Sequence, residues 1–225
     1  MSVKKLLLAL SLCIVLVLSL FAFEQGYFSF FNEQSLYGVW LTDVPAAEQV
    51  ERSLAQFGIT YDIPDDLKMT YRFEFSPDGT VTVSVDPESA RLIAAAEVEA
   101  LRAGLPELLY NQYLQSAGMS REETDAMLAS QGLTMETLVD LSLEQTDFEA
   151  QYTSESMTYT QYYCVKNGIL CYAVSLVDLN AGNYDMTVEP RISGNTLVLS
   201  NAFDSDGNPF TGSGAIQYPM TLRRK

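Results

Sequence analysis

Apolar and polar residues alternate with a period of two in several stretches of the chain, a pattern typical of β-strands with one buried face. The clearest case is residues 69–86, where two alternating runs flank the turn Ser76–Gly79 and predict a hairpin. We expect eight strands in all, over 36–42, 69–76, 80–86, 157–166, 169–177, 184–192, 196–203 and 216–224. Eight strands in hairpin order are enough to close an antiparallel up-and-down barrel.

Helical periodicity predicts a helix over 45–57 and a helical insertion over 87–150, between the third and fourth strands. Gly104, Gly118 and Gly132 fall 14 residues apart, and each precedes an apolar residue and a helix start. Because glycine favours the position just after a helix, the spacing predicts a helix over 88–103 followed by three short helices. The fold class is therefore mainly β with an α insertion.

An uncharged, mostly apolar run of 18 residues extends from Leu6 to Phe23, directly after Lys4 and Lys5. This length is the lower limit for a membrane-spanning helix and is long for the apolar part of a signal peptide. We interpret residues 1–31 as a retained signal-anchor with its lysines on the cytoplasmic side, and residues 32–225 as one β domain outside the cytoplasm. A cleaved signal peptide, which leads to secretion, and a buried core helix are the alternatives.

The composition excludes several functional classes. Lys and Arg total 13 against 29 Asp and Glu, a net charge of −16, whereas binding nucleic acid through its phosphates needs a basic face. The chain has no histidine and three cysteines, which removes His-dependent catalysis and the usual transition-metal sites. The neighbouring acidic residues Asp65 and Asp66 are explained by their place in a turn and need no catalytic role. We therefore expect that the protein is not an enzyme and that it binds no cofactor and no metal.

The first strand opens with Gly38-x-Trp40, which contains the chain's single tryptophan, and the last strand ends with Arg224. In these features the chain resembles the lipocalins and the looser bacterial lipocalin-like domains. The resemblance implies that Trp40 closes the floor of the barrel and that Arg224 packs across it. The long helical stretch between strands three and four departs from the simple barrel of that family.

Two of the cysteines lie on either side of Asn167-Gly168, the strongest short hairpin signal in the chain. A two-residue turn there places Cys164 opposite Cys171, at a hydrogen-bonded pair whose Cα separation of about 5.5 Å suits a disulfide. The side-chain vectors diverge more at such a pair than at a non-hydrogen-bonded one. Because oxidation is possible outside the cytoplasm, we expect a disulfide bond between Cys164 and Cys171, with two free thiols as the alternative.

Six large aromatic residues share the inward face of the predicted hairpins and are the candidates for lining a ligand cavity: Tyr71, Phe73, Phe75, Tyr159, Tyr163 and Tyr172. They could either fill the barrel or line a pocket that the helical insertion covers as a lid.

The sequence thus favours a membrane-anchored binding protein outside the cytoplasm, whose ligand is a small apolar molecule, a lipid or a peptide. The alternative is an envelope interaction protein with a filled barrel, whose acidic helices contact a protein partner that the sequence does not identify.

Overall fold

The computed structural model describes residues 33–213 and 216–225. The predicted signal-anchor over residues 1–31 lies outside the described residues. Among the helices that the structure describes, none combines the length and the apolar composition that crossing a membrane requires.

Eight antiparallel strands form a closed barrel in which almost every strand pairs with its neighbour in sequence. The predicted eight-stranded up-and-down barrel is therefore confirmed. Its strands are β1 (Gly38–Pro45), β2 (Lys68–Phe75), β3 (Thr80–Val85), β4 (Tyr159–Lys166), β5 (Ile169–Ala173), β6 (Met186–Ser193), β7 (Thr196–Asp204) and β10 (Met220–Arg224). A two-stranded ribbon, β8 (Gly212–Ser213) with β9 (Ile216–Gln217), lies between β7 and β10.

The helices occupy three places in the chain. Helix α1 (Ala47–Gln56) joins β1 to β2, and α6 (Leu176–Ala181) joins β5 to β6. Between β3 and β4 lie α2 (Pro87–Ala117), α3 (Arg121–Ser130), α4 (Met135–Glu144) and α5 (Phe148–Thr153), at the position predicted for the helical insertion. Short 3₁₀ turns at Glu33–Ser35 and Glu155–Met157 precede β1 and β4.

The prediction that a helix ends at Gly104 is wrong, because α2 continues through Gly104 and Pro106 to Ala117. Leu105 and Leu108, which follow Gly104, pack against buried residues that include Ile59. This packing outweighs the hydrogen bond that Pro106 cannot donate. The other two glycines behave as predicted: Gly118 and Gly132 have φ angles of 68° and 76° and follow α2 and α3.

The predicted strand 169–177 is too long, because β5 ends at Ala173 and α6 begins at Leu176. The side chain of Ser175 accepts a hydrogen bond from the Asp178 amide, which caps α6 and stops the strand pattern. The predicted strand 216–224 is likewise divided at Tyr218 and Pro219 into β9 and β10.

Two hydrophobic clusters fill the molecule. The first, here called the barrel core, lies inside the strands and includes Trp40, Phe75 and Tyr163. The second, here called the helix core, joins α1 and α2 to the ends of β2 and β3 through Met69 and Val85. Because half-buried Tyr71 packs against both clusters, the helices cover one side of one barrel end.

Candidate functional site

The barrel has a closed end at which β1 begins and β10 ends. Trp40 is fully buried there, and its indole Nε1 donates a 2.6 Å hydrogen bond to the Leu36 carbonyl. The Arg224 guanidinium lies 4.6 Å from the centre of the Trp40 ring and donates to the Ser35 carbonyl at 2.7 Å. The structure thus brings Trp40 and Arg224 together, with Arg224 covering the tryptophan from the outside.

Close packing fills the half of the barrel next to this closed end. The rings of Phe75 and Tyr163 meet edge to face, with centroids 5.1 Å apart, and each residue is 1% exposed. The Tyr163 hydroxyl points toward the closed end, where it donates to the Ser76 carbonyl. Phe73 is 5% exposed. These three of the six predicted cavity residues therefore occupy volume rather than line a pocket.

The other three predicted residues lie toward the opposite end, here called the mouth. Tyr71 is half-buried, Tyr172 is 4% exposed and Tyr159 is 46% exposed. Although Tyr159 is accessible, the protein around it still raises the pKa of its hydroxyl. The six candidates thus divide into a filled floor and a tyrosine-lined mouth.

Three further polar residues belong to the mouth: Thr42, Gln161 and Tyr218. Thr42 shares the inward face of β1 with Trp40, and Gln161 shares that of β4 with Tyr159, so strand alternation alone identifies both. Tyr218 lies outside any strand and packs against the barrel core, and no periodic signal identifies it. The pKa of Tyr172 is raised by burial and by the neighbouring hydroxyls of Tyr218 and Tyr159, so these side chains converge in the mouth.

The polar groups of the mouth are uncharged and have no protein partner. The hydroxyls of Thr42, Tyr71, Tyr159, Tyr172 and Tyr218 and the amide of Gln161 make no hydrogen bond with any residue that the structure describes. Among all the residues that the structure describes, Glu97 Oε2, in the helix core region, is the one fully buried side-chain oxygen or nitrogen that has no hydrogen-bond partner. A ligand in the mouth can therefore supply the hydrogen-bond partners that the protein does not provide to these six groups.

Two segments flank the mouth. On one side, α1 and the first turns of α2 cover the ends of β2 and β3. On the other, Phe210, Ile216 and Tyr218 fold back over the barrel core, where the rings of Phe210 and Tyr218 lie 6.1 Å apart. The helical insertion is arranged differently from the predicted lid. Helices α4 and α5 pack mainly on α2, and α3 also contacts α2. The parts of the insertion that reach the barrel are thus its beginning, where α2 contacts β2, and its last helix, α5, which contacts β3.

A cleft opens in the barrel wall between β1 and β10, beside the mouth. The ladder of β1 with β10 has only the pairs Trp40–Arg224 and Leu41–Arg223, whereas β1 pairs with β2 at eight positions. Toward the mouth the two strands diverge and leave a cleft of about 520 Å³, lined among others by Thr42, Val44 and Met220. Since Thr42 and Met220 face inward, the cleft borders the side chains at the mouth.

The two cysteines of the β4–β5 hairpin lie opposite each other in the predicted register, Cys164 against Cys171. The structure holds both as free thiols, so the disulfide bond considered from the sequence is not formed in it. The Cys171 Sγ lies 3.8 Å from the Ile169 carbonyl oxygen. Cys171 is 3% exposed, and its burial raises its pKa to about 11, with a smaller contribution from the neighbouring Cys164 thiol.

Within the described ranges, no group of three or more acidic or cysteine side chains is arranged to hold a metal ion. No family model, no curated protein and no solved structure matches the chain. The functional argument therefore depends on the geometry of the barrel and its mouth.

Proposed function

We propose that the protein is a non-catalytic binding protein that holds one small apolar molecule in the mouth of its barrel. The observation that carries this proposal is a filled floor beneath a mouth of aromatic rings and six unpartnered polar groups. An eight-stranded barrel has room for its own side chains or for one small ligand, and here the closely packed rings of Phe75 and Tyr163 lie next to the closed end, whereas Tyr71 and Tyr159 at the mouth are partly exposed. Aromatic walls with a few polar groups are typical of small-molecule sites.

The closed end supports a lipocalin-like assignment within this proposal. Gly38-x-Trp40 begins the first strand, and Arg224 from the last strand stacks on the tryptophan ring. This is the arrangement that the resemblance to lipocalins implies. The β3–β4 helical insertion remains a departure from that family.

The proposed location is the outer face of a cell membrane, with residues 6–23 as the anchor. The chain enters the described domain at the closed end, since Leu36 lies against Trp40 there. An anchor that precedes this point places the mouth on the side of the barrel away from the membrane. Secretion after cleavage of residues 1–31 is the alternative.

The test is a titration of the full-length chain with N-phenyl-1-naphthylamine, a neutral apolar dye whose fluorescence rises in apolar surroundings. We expect one saturable site per chain. Gln161→Trp, which fills the mouth, should abolish this site, whereas Thr160→Trp should retain it, because Thr160 is an exposed residue on the opposite face of β4. Equal signals from both variants would show that the dye binds elsewhere.

A second candidate function, an interaction protein that uses its helices, is favoured by three exposed leucines. Leu92, Leu114 and Leu141 are 46–54% exposed on a helical region that carries 12 acidic against 3 basic residues over 87–151. Absence of saturable dye binding by the folded chain would leave this function as the better explanation.

A further inference from the structure

The charges on the barrel strands are arranged so that almost none faces inward. Two charged side chains share the inward face, and both are already bound. Arg224 stacks on Trp40 at the closed end. Asp204, at the rim, accepts hydrogen bonds from the backbone amides of Asp206 and Asn208. Neither is available to neutralise a charged ligand in the mouth.

The polar groups that do reach the mouth are hydroxyls and one amide. Burial raises the pKa values of Tyr71, Tyr159 and Tyr172 above the ordinary tyrosine value, so these hydroxyls stay protonated at physiological pH. A protonated hydroxyl donates one hydrogen bond and accepts others, but it provides no counter-charge.

The surroundings of the mouth add little positive charge. Glu48 and Arg52 of α1 line a groove that reaches Tyr71, and their side chains pair with each other at 3.9 Å while remaining largely exposed. An exposed pair of this kind is screened by solvent and attracts a ligand only weakly.

We infer that the mouth selects neutral ligands over anionic ones: an apolar, ring-sized body with an uncharged hydrogen-bonding group, and not a carboxylate, sulfonate or phosphate. This inference rests on the proposed binding function. An anion entering the mouth would lose its hydration without gaining a cation, whereas a neutral hydroxyl, carbonyl or amine can be satisfied by the tyrosines. The ligand class is therefore a neutral lipid-like or aromatic molecule rather than a free fatty acid.

The experiment compares two dyes with the same ring skeleton, neutral N-phenyl-1-naphthylamine and anionic 8-anilino-1-naphthalenesulfonate, on the full-length chain. We expect the sulfonate to bind at least about tenfold more weakly, because burying an unpaired ion is unfavourable by more than the 1.4 kcal/mol that corresponds to this ratio. Gln161→Lys, which adds a cation inside the mouth, should restore sulfonate binding. Thr160→Lys adds the same charge on the outer face and should not.

Repeating the wild-type titration in 0.5 M NaCl separates two effects on sulfonate affinity: that of the mouth lining and that of the protein's net charge of −16. Salt screens the surface field but does not change the desolvation of a buried ion. Weak sulfonate binding that persists in high salt supports the inference, and this arm does not depend on the folding of any variant. Equal affinities, or sulfonate binding that salt restores, would overturn it. If neither dye binds, the proposed function itself fails.

Discussion

At the scale of single residues, the contact between Arg224 and Trp40 joins the last strand to the first. We expect Trp40→Ala to destabilise the protein by about 3–5 kcal/mol, as for other large buried aromatic side chains. Arg224→Ala should cost less, with a coupling to Trp40 of about 0.5–2 kcal/mol from the cation–π contact. A double-mutant cycle measured by urea unfolding gives this coupling.

Arg223 is the matched control for that cycle. It is the preceding residue of β10, faces outward and pairs with Asp43 at 3.1 Å. Arg223→Ala should show no coupling to Trp40. Additive effects of Trp40→Ala and Arg224→Ala would mean that the two side chains do not interact in solution.

The Cys171 thiol should resist alkylation in the folded protein. Thiolate is the reactive form, and a pKa of about 11 leaves about one molecule in a thousand ionised at pH 8. Iodoacetamide labelling followed by mass spectrometry should modify Cys171 only after unfolding in guanidinium. If the two cysteines label only after reduction, they form a disulfide bond and the free-thiol arrangement is contradicted.

Residue-scale features could be predicted where a periodic pattern or a strand end specifies them. Strand parity identifies Trp40 and Arg224 as inward residues, and the resemblance to lipocalins, not parity, predicted that they meet. Glu97 and Tyr218 could not be found in this way. The burial of Glu97 depends on α5 packing against α2, and the position of Tyr218 depends on a segment without regular structure.

Buried Glu97 should make the stability of the helical insertion depend on pH. Burial raises its pKa, so the folded state holds this proton more tightly than the unfolded chain does. The contribution of Glu97 is then most favourable below the ordinary glutamate pKa and is lost as the pH rises through the raised value. Glu97→Met removes the unpartnered Oε2 but also the carboxyl that bonds to the Tyr152 hydroxyl, so any gain in stability should be larger at pH 8, where the buried carboxylate is charged, than at pH 4.5.

Urea unfolding at the two pH values measures this difference. Glu99→Met is the control, because Glu99 is exposed on the same helix and bonds only to the Tyr61 hydroxyl. A gain for Glu97→Met that is the same at both pH values would show that Glu97 does not titrate as proposed.

At the scale of elements, α2 approaches the segment after α1 so closely that a side chain at Gly104 has no space. A Cβ there would lie 2.6 Å from Ile59 Cγ2, and Ile59 is 3% exposed. Gly104→Ala improves helix propensity by about 1 kcal/mol, yet we expect a net loss of about 1–3 kcal/mol from overpacking. Adding Ile59→Ala should relieve the clash and recover part of this loss in thermal or urea unfolding.

Ala103→Gly, at the exposed neighbouring position, measures the propensity contribution without any new contact. If Gly104→Ala stabilises the protein by the amount that Ala103→Gly destabilises it, α2 is not packed against Ile59 as the structure has it.

Elements were predictable where the signal is local. The alternation over 69–86 and the Asn167-Gly168 turn give two hairpins whose observed registers match the sequence pattern. The continuation of α2 was not predictable, because Gly104 and Pro106 both favour an end and only the contact with Ile59 favours continuation. Helix α6 was missed because Val174, Leu176 and Val177 extend the apolar run of β5 although all three are exposed.

At the scale of the whole molecule, the membrane anchor that we propose for residues 6–23 predicts where the protein is found in cells. The protein should remain in the membrane fraction after carbonate and high-salt washing, because an apolar helix of this length is not released by either treatment. Fractionation followed by N-terminal sequencing is the measurement. A soluble form whose sequence begins near Phe23 would show that the segment is a cleaved signal peptide instead.

The barrel wall is not equally strong all the way round. Separating β1 from β10 breaks a ladder of two residue pairs, whereas separating β1 from β2 breaks a ladder of eight residue pairs. Local opening follows the least stable contacts, so fluctuations of the wall should begin at this seam. Because the cleft lies between these strands beside the mouth, a brief parting of the seam would open a way in without unfolding the rest of the barrel. The residence time of a bound molecule would then be governed by how often the seam opens, and not by the strength of its contacts alone.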